Sequence, residues 1–394
     1  MKTDQLPVGS RLSHPINDGE DRLLLAAGVL LTKRIKERLI ARGIHEVLLH
    51  PDDAAAILGQ SKTADPVEEE PKVAKKKATP RPRAKRDSLL AETVAQIRMQ
   101  ASALASSVST QIQSTGAPLS ERQVRRGTLP YDAKQRERLT EQFSVTSQLI
   151  DNIAHQALSG QVQDDRPLKV AAQNYIAELT DDTDNVLASS FELAPNPAIT
   201  ERGVRLALLG MAMAIEMDWD EINVREVGHC GLVHDMGMFR YDEKLQNQQE
   251  KLSAEDWQAS TDHPLHTLDM LTSMKNVSLP VRLAATQIHE NPDGSGYPRG
   301  LKAEEIHPYA ALLHAADAYI TLTADMLGRK AYMSYDVMVY LLNQVKAQRM
   351  DEQSVRALLQ VISLFPIGSR VRLSDGSEAQ VIRRNDKNYT APIV

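Results

Sequence analysis

Residues 288 to 298 read IHENPDGSGYP, and whether this stretch is a surface turn or one wall of a metal site decides how the helices around it are arranged. Taken alone, Asp293-Gly294 and Ser295-Gly296 are ordinary turn pairs. Three other stretches share its chemistry: GLVHDMGMF with His234 and Asp235, STDHPLH with His263 and His266, and LLHAADAY with His314 and Asp317. Singly, a histidine beside Pro264, or His314 in its apolar run, is more often a core or capping residue than a ligand. Their order and spacing change that balance.

From Asp235 to His263 is 28 residues, from His263 to His289 is 26, and from His289 to Asp317 is 28. A helix, a turn and the helix back consume about that length, at ~1.5 Å of rise per residue. Equivalent positions on successive antiparallel helices then fall at one end of a bundle. The only cysteine is Cys230, so any metal is held by imidazole and carboxylate, the ligands that iron, manganese and zinc accept when no thiolate is offered. An adjacent His-Asp pair adds a further option, in which the carboxylate bridges two ions while its neighbour binds one.

Outward from these motifs, residues 171–364 are nearly all helical in pattern, and after them FPIGSRVRLSDGSEAQVIRR alternates around Asp375-Gly376, a hairpin signal in a carboxyl-terminal extension, 365–394. Residues 88–170 form a connecting region, with helical spacing over Ser88 to Ile112 and Lys134 to Leu158 and a break from Gly116 to Pro130. Residues 63–87, TADPVEEEPKVAKKKATPRPRAKRD, bury too little apolar surface to order and read as a disordered linker. Residues 1–62 read as a small α+β domain, extended at Arg22 to Leu25, turning at Gly28, helical near Thr32 to Arg42 and capped by Gly43. The expected class is mainly α, a helical bundle with that small domain in front and the hairpin behind.

Aromatic residues are only 4% of the chain, against frequent Leu, Ala and Met, which favours helical packing. With 46 Lys+Arg and 52 Asp+Glu the formal charge is -6, giving no overall attraction to nucleic acid. No segment reaches the length needed to span a bilayer, the amino terminus lacks a secretory pattern, and the lack of a disulfide partner for Cys230 points to a reducing compartment. The expectation is a cytoplasmic protein.

The sequence HDMG, followed by HP, then HENPDGSGYP and AADAY, resembles the HD-GYP family of the HD phosphohydrolase superfamily, over about Ala198 to Ala331. The opening LPVGSRL unit resembles the small domain that often precedes such domains. The resemblance implies an HD-type helical bundle in a bacterial signalling protein, with a metal centre that hydrolyses cyclic di-GMP or a related phosphodiester nucleotide. It implies that His234 and Asp235 are ligands and catalytic residues with Asp235 bridging, that His263 and His289 hold the second metal, and that Asp317 closes the first site. The metal is then a divalent ion, iron or manganese, with one or two bound. Gly296, Tyr297 and Pro298 shape the substrate-facing loop, where signalling partners also dock, and a homodimer is compatible with the helical connecting region.

Several positions depart from the family's pattern. Arg202 stands where a ligand histidine is usual, Ile288 replaces the first of two histidines, Met238 replaces a phosphate-contacting lysine, Thr267 replaces a glycine after HP, and Ile320 replaces an aspartate. Glu201, His229 and His266 are nearby substitute ligands. Arg202 either grips phosphate as a fork of donors or fills a metal position with its own cation. The enzyme reading, a metal-dependent phosphodiesterase with reduced or altered metal content, stands ahead of a catalytically inactive cyclic di-GMP sensor or protein-interaction module. A nucleotide phosphohydrolase of another HD type is the third.

Overall fold

Short polar side chains mark where several helices begin. Asp132, Asp220, Ser278 and Asp351 each precede a periodic apolar run, and each accepts a hydrogen bond from a backbone N–H two or three residues on: Lys134 at 2.9 Å, Asn223 at 2.9 Å, Val281 at 3.4 Å and Ser354 at 2.8 Å. Each such cap satisfies a donor that a helix start leaves unpaired and contributes about 1 kcal/mol.

The computed structural model describes residues 83–394 apart from 128, 193–196, 247–252, 254–259, 326–328 and 386–387, with backbone alone at 83–94 and 243–244; before them it describes 16–17, 23–25, 36 and 47. The chain divides into two compact units, Met1–Pro80 and Arg81–Val394. In the first, β1 (Ile16–Asn17) pairs antiparallel with β2 (Leu23–Leu25), Lys36 is helical and Val47 is buried. The rest of the expected helix over Thr32 to Arg42, the turn at Gly28, the Gly43 cap and the linker up to residue 82 lie outside the described residues.

The second unit is a helical bundle. Its helices are α1 (Arg83–Ser107), α2 (Ala133–Leu158), α3 (Arg166–Phe191), α4 (Ile199–Glu216), α5 (Glu221–Val233), the short α6 (Glu243–Gln246), α7 (His263–Ser273), α8 (Leu279–Ala285), α9 (Pro308–Thr323), α10 (Ser334–Lys346) and α11 (Glu352–Ile362). Helix α1 takes in the last five residues of the stretch read as a linker. A carboxyl-terminal hairpin pairs β3 (Arg370–Arg372) with β4 (Glu378–Gln380) around Asp375-Gly376.

Helix α4 is buried on every side from Gly203 to Ile215, with Arg205 its one charged residue there, and a helix so nearly apolar all round sits at the centre of a bundle. It packs against α2, α3, α5, α9 and α11. Helix α1 stands off this core. Its Ile97 and Ala101 form a separate small cluster with Leu265 and Leu268 of α7, and Arg98 pairs with Asp262 at 3.4 Å, one residue before His263.

Helix α3 breaks at Asp182, whose backbone is extended (φ -152°, ψ 83°). The Asp182 carboxylate starts the second half by accepting from Asn185 N at 3.1 Å. It is also clamped by Arg383, whose two terminal nitrogens donate to its two oxygens at 2.8 and 2.9 Å. Arg384 adds a contact to Asp184 at 3.2 Å. The hairpin segment is thereby bolted to the bundle by a buried ion-pair network.

Candidate metal centre

The end of α5 delivers the first two groups. His234 closes the helix, and Asp235 opens a 3-10 turn, Met236–Arg240. Helix α7 begins on His263, the turn after α8 carries His289, and the middle of α9 carries Asp317. The five residues that the motifs singled out come together here.

The Asp235 carboxylate lies between two imidazoles: Oδ2 is 3.3 Å from His234 Nε2, and Oδ1 is 3.2 Å from His263 Nε2. His263 Nε2 in turn lies 3.1 Å from His289 Nε2. On the far side of that ring, His289 Nδ1 faces Asp317 Oδ2 across 3.8 Å. Two donors bound to one ion at about 2.0–2.1 Å, at angles between square and tetrahedral, stand roughly 2.8–3.4 Å apart, so the separations of 3.1, 3.2 and 3.3 Å suit shared cations and the 3.8 Å one to Asp317 is wider. Asp235, His263 and His289 each bring a ligand atom within 4.8 Å of the others, the one such metal-compatible group among the described residues.

Outer hydrogen bonds set the tautomers. His234 Nδ1 donates to the Gly231 carbonyl at 2.9 Å and His263 Nδ1 to the Ser260 carbonyl at 2.6 Å. A carbonyl can only accept, so in each neutral ring Nε2 carries the lone pair and turns it inward, as a metal ligand requires.

Charge follows the same geometry. Burial opposes a charged His234, yet the Asp235 carboxylate outweighs it and raises the imidazole's pKa. Burial likewise opposes a charged Asp235, and His234 and His263 overcome it, holding the carboxyl well below its ordinary value. Asp317 is pushed up, chiefly by burial, with His234 and Arg202 pulling the other way. His289 is lowered by burial and by His263.

The loop in IHENPDGSGYP forms one wall. Tyr297 stacks on the His289 ring at 4.9 Å and 15°, and its N–H donates to the His289 carbonyl at 3.1 Å. A Cβ on Gly296 would lie 2.2 Å from Asn291 N and 2.5 Å from Glu290 Cα, so only glycine lets the loop close this tightly. Buried Glu290 ties the loop down, accepting from Arg299 N at 2.7 Å and Leu301 N at 2.9 Å.

The departures from the family pattern divide by environment. Met238, Ile288 and Ile320 join the hydrophobic core, where a lysine, histidine or aspartate would have no partner. Arg202 is half-buried; its Nη2 donates to the Gln246 carbonyl at 2.9 Å, its buried Nε has no hydrogen-bond partner, and its charge reaches Asp317.

The three substitute ligands are engaged elsewhere. Glu201 accepts from Ala198 N at 3.1 Å, His229 is buried against Asp165 at 3.3 Å, and His266 Nδ1 accepts from Arg240 Nη1 at 3.2 Å. None of these contacts includes a residue of the cluster. Arg299, which follows the Gly-Tyr-Pro loop and has a buried Nη1 without a hydrogen-bond partner, was not singled out in the sequence; a cation directly flanking a glycine-rich loop is the signal that could have marked it.

Comparison with known proteins finds that residues 191–353 match the HD domain. The chain is 28% identical over 211 residues to a cyclic di-GMP phosphodiesterase of Pseudomonas aeruginosa, covering 53% of this chain and 50% of that one. It is 26% identical to the cyclic di-GMP phosphodiesterase PdeB of Borreliella burgdorferi, over 48% of this chain and 50% of that one. It is 28% identical to a 3'3'-cGAMP-specific phosphodiesterase of Vibrio cholerae, over 40% and 33% respectively. The chain thus spans about half the length, or less, of these relatives. Among solved structures, the protein Bd1817 of Bdellovibrio bacteriovorus aligns over 91% of this chain and 97% of its own at 14% identity and a TM-score of 0.45.

Proposed function

The chain belongs to the HD-GYP family of HD domains, and from that premise we propose that it is a metal-dependent phosphodiesterase of a bacterial cytoplasm acting on a cyclic dinucleotide, cyclic di-GMP first among them. The observation that carries this reading is the Asp235 carboxylate with one oxygen on each of two inward-facing imidazoles, next to the Nε2-to-Nε2 approach of His263 and His289. Names of the relatives supply the substrate class.

In this reading His234, Asp235 and Asp317 would hold one cation and Asp235, His263 and His289 a second; iron or manganese would suit the donor set. A bound divalent cation supplies polarisation of a phosphoryl oxygen and a lowered pKa for water. The protein's own groups do the rest. Gly231 and Ser260 carbonyls hold His234 and His263 in the tautomer that leaves Nε2 free. Tyr297, stacked on His289, walls the site. Arg202 presents a permanent cation to a phosphate, and Arg299 a second one beside the loop.

A second reading, an inactive cyclic di-GMP sensor or docking module, draws on the apolar burial of Met238, Ile288 and Ile320, which leaves fewer ligands than the family pattern. One experiment separates the two. The protein is purified without oxygen, its metal content is measured, and hydrolysis of cyclic di-GMP and 3'3'-cGAMP is followed with iron, manganese and zinc in turn, beside Asp235→Ala. Metal and product in the wild type, with both lost in a folded Asp235→Ala, are the expected result. Tight nucleotide binding without product or metal supports the sensor.

A further inference from the structure

We propose that Thr267 is a positioning residue that sets the distance between the two halves of the metal centre. The claim rests on the metal-centre reading above for its consequence, and on hydrogen bonds for its geometry. Thr267 lies on α7 one turn after His263, on the same side of the helix, and is fully buried. A threonine inside a helix ordinarily returns its hydroxyl to the carbonyl four residues back. Thr267 does otherwise: its Oγ1 donates to the His234 carbonyl at 2.8 Å and accepts from Gly237 N at 2.9 Å.

Both bonds land on the four-residue stretch, His234 to Gly237, that contains Asp235. The His234 carbonyl and the Gly237 N–H belong to the helix end and the turn after it, where backbone groups run out of intrahelical partners. One side chain from α7 supplies both. At the same place the two backbones touch, since a Cβ on Gly237 would lie 2.1 Å from His263 O and 2.5 Å from Thr267 N. The 3.2 Å gap between Asp235 Oδ1 and His263 Nε2 is therefore spanned by a parallel link through the Thr267 hydroxyl. Where the family pattern has glycine after HP, this chain has put a cross-link.

Removing the hydroxyl leaves a donor and an acceptor buried without partners and frees the turn to move against α7. Loss of an outer-shell partner of this kind weakens metal affinity about 10–100-fold. The test compares Thr267→Val and Thr267→Ala with Thr267→Ser, reading Mn2+ affinity by anaerobic titration and Gly237 amide exchange in metal-free protein. Valine and alanine are expected to weaken Mn2+ binding at least tenfold and to speed Gly237 exchange, while serine restores both and the folded content of all three is unchanged.

Wild-type Mn2+ affinity and unaltered Gly237 exchange in a folded Thr267→Ala would overturn the proposal. If the wild type binds none of Mn2+, Fe2+ and Zn2+, the enzyme reading falls, and Gly237 exchange still decides the link: faster in alanine than in serine upholds it, equal rates refute it. Should valine fail to fold, the alanine and serine pair, which differ by the hydroxyl alone, carries the comparison.

Discussion

His263 and His289 meet nitrogen to nitrogen, Nε2 to Nε2, at 3.1 Å. With His263 Nδ1 committed to a carbonyl, its Nε2 turns a lone pair towards His289 Nε2, and a cation held between the two nitrogens would engage both rings. Adding Mn2+ or Fe2+ should therefore stabilise the fold, by about 2.7 kcal/mol at a hundredfold excess over Kd. Thermal unfolding with metal and with chelator checks this, and an unchanged midpoint would count against the centre. The shift should shrink in acid, because ligand imidazoles must be neutral to bind.

Gly296→Ala probes the loop without touching a ligand. The new Cβ meets backbone atoms of Glu290 and Asn291 rather than a movable side chain, so the loop must give way and Tyr297 must leave the His289 ring. A stability loss of about 1–3 kcal/mol is expected from such overpacking. Urea unfolding measures it, and a fall in phosphodiester hydrolysis larger than any loss of bound metal would separate the loop's role from the ligands'.

A different histidine sets a pH dependence. His229 is fully buried beside Asp165, and burial above all brings its pKa down to about 3. Below its ordinary value near 6.5, the unfolded chain takes up a proton that the folded chain refuses, so stability falls as pH drops between those limits. The slope from this one group approaches ~1.4 kcal/mol per pH unit. Denaturant unfolding from pH 7 to 5 should show a shallower fall in His229→Phe than in the wild type; parallel curves would remove His229 from the account.

How much of this was legible in the sequence depends on how far apart the partners lie. Apolar spacing predicts a helix from Lys134 to Leu158, and α2 runs Ala133–Leu158; the Asp375-Gly376 turn predicts the hairpin that forms there. Such features need only neighbouring residues. The grouping of His234, Asp235, His263, His289 and Asp317 was legible because motif order encodes their arrangement. The break in α3 was not, since Asp182 depends on Arg383, 201 residues away. Nor did the sequence distinguish His229 and His266 from ligands, because what engages them is a carboxylate just before α3, Asp165, and an arginine after α5, Arg240.

That clamp between Asp182 and Arg383 also orders events during synthesis. Asp182 and Asp184 come to rest buried, and of the arginines that neutralise them, Arg383 and Arg384, the first follows Asp182 by 201 residues. A carboxylate is too costly to bury without its partner, so the region around the break in α3 has to stay hydrated while the residues of the His-Asp cluster have already been made. The region around that break reaches its final packing only after Arg383 and Arg384 have been made, so the segment that follows the hairpin is part of the bundle's folding and not an appendage to it.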